Sequence, residues 1–240
     1  MNNTLNVLVT GASKGIGRAI CDRLSADGYN VTGLARTRPA DWPEHLPFHC
    51  IDLTERAAVK DLLHTLCSTT PFYGLVNNVG FVPTGKLEDV NSDDLHKAVA
   101  LNLDINILCA QAVLPGMRTL GTGRIVNIGS RAGLGKTGRT LYSMTKAGVI
   151  GLTRTWALEL ADQGITVNTV APGPIATEFF AGANDHNDEA TRKLLAGIPI
   201  GRIGQPADVA HAVSYFLDTR CGFVTGQTHY VCGGITIGAA

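Results

Sequence analysis

The sequence predicts an α/β domain built on a doubly wound parallel sheet, and three observations predict it. Short, β-branched, near-continuously apolar runs recur along the chain. Stretches of helical periodicity separate them. A glycine-rich turn joins the first run to the first helical stretch. Strands covered on both faces carry apolar residues at successive rather than alternating positions, as in a parallel sheet between two helix layers.

In chain order, the first strand is expected at 7–10 and the first helix at 15–27. Strands follow at 31–35 and 48–51, then a helix at 57–66 and a strand at 75–78. A long helix is expected at 92–114, a strand at 124–128, a second long helix at 142–163 and a strand at 166–171. A helix at 206–217 and a strand at 228–231 close the series. No linker, repeat or low-complexity tract interrupts it, so residues 1–240 are read as a single domain. Residues 175–199 fit neither period: Phe179-Phe180 leads into a polar run from Asn184 to Glu189. An insertion of that length is read as a substrate loop or lid, with a surface helical hairpin as the plainer alternative.

At 240 residues, with 45% apolar and 17% charged side chains, the chain can form a hydrophobic core and does not resemble a disordered one. Twenty basic and 20 acidic residues balance, leaving no electrostatic footprint for nucleic acid or an anionic membrane. The residues before Val7 form no secretory signal, and no unbroken apolar stretch reaches the ~20 residues of a membrane span. Six cysteines without a C-x-x-C pair and seven dispersed histidines suggest reduced thiols, a cytoplasmic protein and no metal site.

The first strand runs into Thr10-Gly11-Ala12-Ser13-Lys14-Gly15-Ile16-Gly17. Such glycines let the chain turn tightly and approach a pyrophosphate, which the following helix N-terminus then holds. Gly11, Ser13, Lys14, Gly15, Ile16 and Gly17 are therefore candidate cofactor residues of a Rossmann-like fold. At the end of the second strand, where a carboxylate would bind the ribose of NAD, the chain reads Ala35-Arg36-Thr37-Arg38. An arginine there suits a 2′-phosphate, and Lys14 adds a second positive charge, so NADP(H) is favoured over NAD(H). Solvated loop arginines are the alternative.

Tyr142-Ser143-Met144-Thr145-Lys146 opens the second long helix and sets Tyr142 and Lys146 one turn apart on one face. A neighbouring ammonium favours the phenolate and is expected to lower the tyrosine pKa toward working pH. Twelve residues before Tyr142, Ser130 ends a strand at the edge where doubly wound sheets bind ligands. Val76-Asn77-Asn78-Val79-Gly80 ends an earlier strand, the 92–114 helix carries Asn102, and a strand ends in Ala171-Pro172-Gly173-Pro174-Ile175-Ala176-Thr177.

These pieces, in this order and spacing, resemble the short-chain dehydrogenase/reductase family over essentially the whole chain. The resemblance implies an oxidoreductase acting on CH–OH/C=O groups, with Tyr142 moving a proton to or from the carbonyl oxygen and Ser130 binding the same oxygen. Lys146 would hold the nicotinamide ribose as well as tune Tyr142, and Asn102 would hold a water leading from Lys146. Asp52 and Leu53 would meet the adenine, Asn78 and Gly80 would line the cofactor, and Pro172, Gly173, Ile175 and Thr177 would lie along its nicotinamide half. Val79 and Cys232 depart from the alanine and aspartate usual in the family.

A small free carbonyl or alcohol substrate is favoured. Members that reduce 3-oxoacyl groups on a carrier protein dock it through basic residues, which 119–123 and 161–164 lack. That carrier activity is the alternative, and a non-catalytic NADP-binding regulator is a second. Arg131, Lys136 and Arg139 can meet an anionic substrate, although for at least two of them surface solvation is the plainer reading; Phe179, Phe180 and Leu134 can form an apolar wall. The resemblance further implies a homotetramer packed through the two long helices, the second carrying Ala147, Gly148, Gly151 and Ala157.

Overall fold

The structure, a computed structural model, describes residues 4–178 and 189–237. Seven strands are present: β1 (Asn6–Thr10), β2 (Asn30–Ala35), β3 (Phe48–Cys50), β4 (Gly74–Asn77), β5 (Gly123–Ile128), β6 (Ile165–Pro172) and β7 (Thr228–Val231). They form one sheet in the order β3-β2-β1-β4-β5-β6-β7, with every pair parallel. The chain winds outward from β1 to β3 and returns to the other side of β1 as β4. Loops leaving β1 and β4 therefore diverge at the strands' carboxyl ends and open a crevice there.

The helices are α1 (Gly15–Ala26), α2 (Arg56–Thr69), α3 (Ser92–Val99), α4 (Ile105–Leu120), α5 (Thr140–Leu160), α6 (Glu189–Ala196) and α7 (Pro206–Leu217). Successive strand residues feed opposite layers. Val7 and Val9 of β1 pack with Ile20 and Leu24 of α1 and Val213 and Phe216 of α7. Leu8, between them, packs with Leu63 of α2 and with Ile105, Val113 and Met117 of α4. This two-sided burial explains the unbroken apolar runs.

Two local readings are corrected. The helix expected at 92–114 continues to Leu120, although Pro115 lies inside it. Pro115 removes the bond that would reach the Gln111 carbonyl, and both residues are exposed, so water can serve that carbonyl. The same helix also widens into a π-turn at Ala100–Asp104, which puts Asn102 at a break in its ladder. Finally, α6 lies within the 175–199 segment, so helix is present there as in the helical-hairpin alternative. Residues 179–188, including Phe179 and Phe180, lie outside the described residues.

Ser92–Leu120 as a whole spans 29 residues with a mean hydropathy of 1.5 over its most apolar window, enough by length and composition to cross a membrane. Asn102, Asp104 and Asn106 interrupt its apolar run. The apolarity has a core explanation: Ile105, Leu108, Cys109, Val113 and Met117 are buried.

Candidate active site

At the β1–α1 junction, the Thr10 hydroxyl accepts the backbone N–H groups of Asn78 and Val79 at 3.0 and 3.1 Å. The Asn78 carboxamide donates back to the Thr10 and Gly11 carbonyls at 3.0 and 3.1 Å. The ends of β1 and β4 are thus tied together, and the glycine turn is fixed against them. Gly11 and Gly15 adopt φ of +66° and +56°, a region costly for residues with a Cβ. A Cβ on Gly17 would lie 2.1 Å from the Gly11 carbonyl oxygen. Lys14 caps α1 without a side-chain cap bond, and the first turn has no acidic residue, so the helix N-terminus keeps its N–H groups and positive potential for an anion. This backbone cradle fits a dinucleotide pyrophosphate.

Farther along the crevice, Arg36 follows the end of β2, exposed and with no hydrogen-bonded carboxylate among the described residues. Asp52 is turned aside: it accepts the Thr54 N–H at 2.9 Å and the Thr54 hydroxyl at 2.8 Å. Those bonds, helped by the charge of Arg36, hold its carboxyl below the usual range. Lys14 does not stand free as the sequence suggested. Its ammonium meets the Glu178 carboxylate at 2.6 Å, with both side chains mostly exposed. Such a pair is worth at most about 1 kcal/mol and yields readily to a stronger anion.

The crevice is a cavity of about 1380 Å³. Every cofactor-side residue read from the sequence lines it, from Gly11 through Arg36, Leu53 and Gly80 to Gly173, Ile175 and Thr177. Ser130, Tyr142 and Lys146 line its other end. Ser130 ends the β5 loop and accepts the Ala132 N–H at 3.1 Å, capping a short turn at Arg131–Leu134. Tyr142 lies in the first turn of α5. One turn on, the Lys146 ammonium donates to the Ile128 carbonyl at 2.7 Å and lies 5.7 Å from the Tyr142 ring centre.

Burial dominates the ionisation of both groups. Among the described residues no carboxylate pairs with Lys146, and desolvation pulls its pKa down to about 8. The Tyr142 phenol is pushed up by burial; hydrogen bonding with Ser130 and the charge of Arg139 oppose the shift without reversing it. The expected lowering by Lys146 is therefore absent in the protein alone.

Asn102, alone among the catalytic candidates, does not line the cavity. It is fully buried just behind it. Its carboxamide accepts the Phe81 N–H at 2.8 Å and donates to the Phe81 carbonyl and the Thr145 hydroxyl, both at 2.9 Å. A Cβ on Gly80 would come 3.1 Å from the Asn102 oxygen and 3.7 Å from the Lys146 nitrogen, so these three residues meet at one point. Sequence reasoning missed Thr10 and Thr145, whose hydroxyls hold this frame. The only sequence signal was a threonine ending the first strand and another beside the catalytic lysine. It also missed Lys97, which lines the cavity with its ammonium 4.7 Å from the Phe81 ring centre.

Comparison with known proteins gives one consistent set. The sequence profile of the family described as enoyl-(acyl carrier protein) reductase matches residues 11–236. The 3-oxoacyl-[acyl-carrier-protein] reductase FabG of Vibrio harveyi is 37% identical over 238 residues, covering 95% of this chain and 96% of the relative. The (2S)-[(R)-hydroxy(phenyl)methyl]succinyl-CoA dehydrogenase subunit BbsD of Thauera aromatica is 39% identical over 221 residues, covering 90% and 81% respectively. Among solved structures, a putative NAD(P)-dependent gluconate 5-dehydrogenase from Beutenbergia cavernae, with bound NADP at low occupancy, superposes with a TM-score of 0.92. It is 30% identical, covering 97% of this chain and 96% of that one. A short chain dehydrogenase/reductase family protein superposes with a TM-score of 0.88 at 32% identity, covering 99% and 100%.

Proposed function

The chain belongs to the short-chain dehydrogenase/reductase family, and on that premise we propose that it is an NADP(H)-dependent oxidoreductase interconverting a ketone and a secondary alcohol, with Tyr142 as the acid/base. The observation that carries this reading is the convergence of Ser130, Tyr142 and Lys146 at one end of a cavity whose other end is a phosphate cradle. Bound NADP(H) supplies or accepts the hydride.

The protein's own part is placement and proton handling. In reduction the Tyr142 hydroxyl gives its proton to the substrate oxygen, and the raised pKa keeps that proton in place until it is needed. Ser130 donates to the same oxygen as negative charge builds there. Lys146 adds positive charge below the phenol and binds the nicotinamide ribose. Asn102, through Phe81 and Thr145, holds the backbone beside Lys146 in place. Arg36 takes the 2′-phosphate, and Lys14 joins it once released from Glu178. NADP bound to the similar gluconate 5-dehydrogenase structure supports this preference.

The relatives' names point to different substrates: acyl-carrier thioesters, a succinyl-CoA derivative and a sugar acid. Reduction of 3-oxoacyl groups on a carrier protein remains the second reading, favoured by the FabG relatives. A non-catalytic regulator is disfavoured by the intact Ser130, Tyr142 and Lys146. We further assign the protein to the cytoplasm, as a homotetramer packed through α4 and α5, and read 175–199 as the substrate loop.

The test is NADPH and NADH consumption at 340 nm with ketones, 3-oxoesters and a 3-oxoacyl carrier, for the native protein and Tyr142→Phe. The expected result is NADPH-linked turnover that falls at least about a hundredfold in the variant, the scale of one general acid, with NADPH affinity retained. Full activity in the variant sinks the tyrosine mechanism; activity confined to the carrier substrate installs the second reading.

A further inference from the structure

The charge along the cavity is uneven. Among the described residues its lining holds seven lysines and arginines but only two carboxylates, Asp52 and Glu178. Both carboxylates have partners: Asp52 is bonded to Thr54 and Glu178 to Lys14. At the Tyr142 end stand Arg131, Lys136 and Arg139, facing no acid in the lining. Arg131 opens the turn that Ser130 caps, and Arg139 is the N-cap of α5, three residues before Tyr142. Among the described residues the Arg139 guanidinium makes one hydrogen bond, a weak one at 3.3 Å to the neighbouring Gly138 carbonyl. The side chains of Arg131 and Lys136 make none among the described residues.

The three cations are close enough to repel. Burial and the charges of Arg131 and Arg139 pull the Lys136 ammonium below its ordinary value. The charge of Arg139 also reaches the Tyr142 hydroxyl. The 21-residue helix α5 opens at the same place, with no acidic residue in its first turn and no side-chain cap, and adds the positive end of its dipole. Solvation alone would let flexible cations spread apart. Here Arg131 is carried on a capped turn packed against α5, where a Cβ on Gly133 would come 3.2 Å from the Lys146 backbone, Arg139 is the N-cap of α5, and Lys136 is exposed on the loop between them. The segment around Gly138 is also pinned, because its carbonyl accepts the Gly85 N–H at 3.1 Å. Like charges held together beside a reaction centre are stabilised when an anion enters among them.

We infer that Arg131, Lys136 and Arg139 form an oxyanion-binding subsite, so that the carbonyl substrate carries a carboxylate or phosphate a few bonds from the reacting carbon. The inference rests on the reductase reading and names the class of its substrate. It disfavours simple ketones and neutral esters. Planar guanidinium groups suit bidentate capture of either oxyanion, and Lys136 serves as a point charge beside them.

The experiment pairs each anion with a neutral partner: acetoacetate with methyl acetoacetate, levulinate with methyl levulinate, and dihydroxyacetone phosphate with dihydroxyacetone. kcat/KM is measured with NADPH for the native protein, Lys136→Gln and Arg131→Gln, with melting temperature and NADPH affinity as checks on folding. The expected native preference for the anion is at least about tenfold, the worth of one hydrogen bond to a charged group. Each variant should cut that ratio by about the same factor, chiefly through KM, whichever way the neutral rate moves. Added salt should raise KM for the anion alone. The phosphate pair separates a phosphate-bearing substrate from a carboxylate-bearing one. Neutral partners turned over as well as the anions, or a ratio that both variants leave intact, would overturn the subsite. Should no compound react, calorimetric binding of levulinate and its ester to the protein–NADP+ complex decides: tighter binding of the acid, lost in the variants, upholds the subsite, and equal binding removes it. Failure of the reductase reading is seen in turnover, and failure of the subsite in the anion-to-neutral ratio.

Discussion

Lys146 is an ammonium held without a counter-ion, and two consequences can be measured. Its pKa of about 8 lies below the ordinary 10.5, so between those values the folded chain binds fewer protons than the unfolded one. Stability from this residue therefore rises with pH across that window, and below it the buried charge costs about 3 kcal/mol. Lys146→Met should raise the melting temperature at pH 7 by several degrees while abolishing turnover; a lower melting temperature would mean that the ammonium is compensated in the protein. The second consequence is kinetic. Tyr142 keeps its proton through neutral pH because burial raises its pKa. Reduction should therefore be flat from about pH 6 and fall above about 8, as Lys146 loses its charge. Oxidation, which needs the phenolate, should rise with pH. A reductive rate that climbs through pH 8 would refute this division of roles. The residue types of this pair were legible in the sequence from the four-residue spacing. The direction of the tyrosine shift was not, because desolvation depends on what the β5 loop and α5 bury together.

At the level of elements, the site depends on two junctions built from backbone. Gly17→Ala places a methyl 2.1 Å from the Gly11 carbonyl, an atom that cannot swing away. NADPH affinity should fall at least about tenfold as the cradle opens, read by quenching of intrinsic fluorescence. Unaltered affinity would show that the turn does not hold the cofactor. The other junction is the π-turn, where Asn102 satisfies both polar groups of Phe81 and the Thr145 hydroxyl. Asn102→Leu leaves the part-buried N–H and carbonyl of Phe81 without this partner, while the Thr145 hydroxyl keeps its bond to the Tyr142 carbonyl, and should cost about 2 kcal/mol in denaturant unfolding. Loss of activity without loss of stability would instead mark a direct part in the chemistry. The five inner strands were legible because two-sided burial writes itself as apolar runs, the partly exposed edge strands β3 and β7 from their place in the alternating series, and the cradle because glycine is required by φ and by space. The π-turn and the helix through Pro115 were not, since each depends on which face meets water, and helix at α6 entered only as the alternative reading of its segment. The grouping of Arg131, Lys136 and Arg139 near the substrate was legible from their place between Ser130 and Tyr142; which acids they face was not, since that depends on how α5 packs on the sheet.

For the whole molecule, α5 raises a question that the isolated chain does not answer. Gly151 lies in the middle of this 21-residue helix, where a glycine costs about 1 kcal/mol relative to alanine. Nothing in the chain requires it: a Cβ there would meet no atom within 4 Å, and the residue is exposed. Gly148, one turn earlier, differs, since a Cβ there would press on Leu103 at 3.2 Å. Along the same helix Met144 and Leu158 are exposed, Leu158 to 85%. A helix with a costly small residue beside exposed apolar ones is suited to close approach by another surface, and the proposed tetramer supplies one through α4 and α5. Gly151→Gln, which the isolated chain accommodates in open space and which favours helix, should then leave the fold intact while shifting the mass in light scattering from four chains toward two or one. Its melting temperature should fall with dilution more steeply than that of the native protein, because subunits that stabilise one another do so by mass action. A tetramer of unchanged mass would place the contact elsewhere. A native protein that is monomeric at micromolar concentration would remove the assembly altogether, and Gly151 would then stand as a glycine whose cost has no structural return.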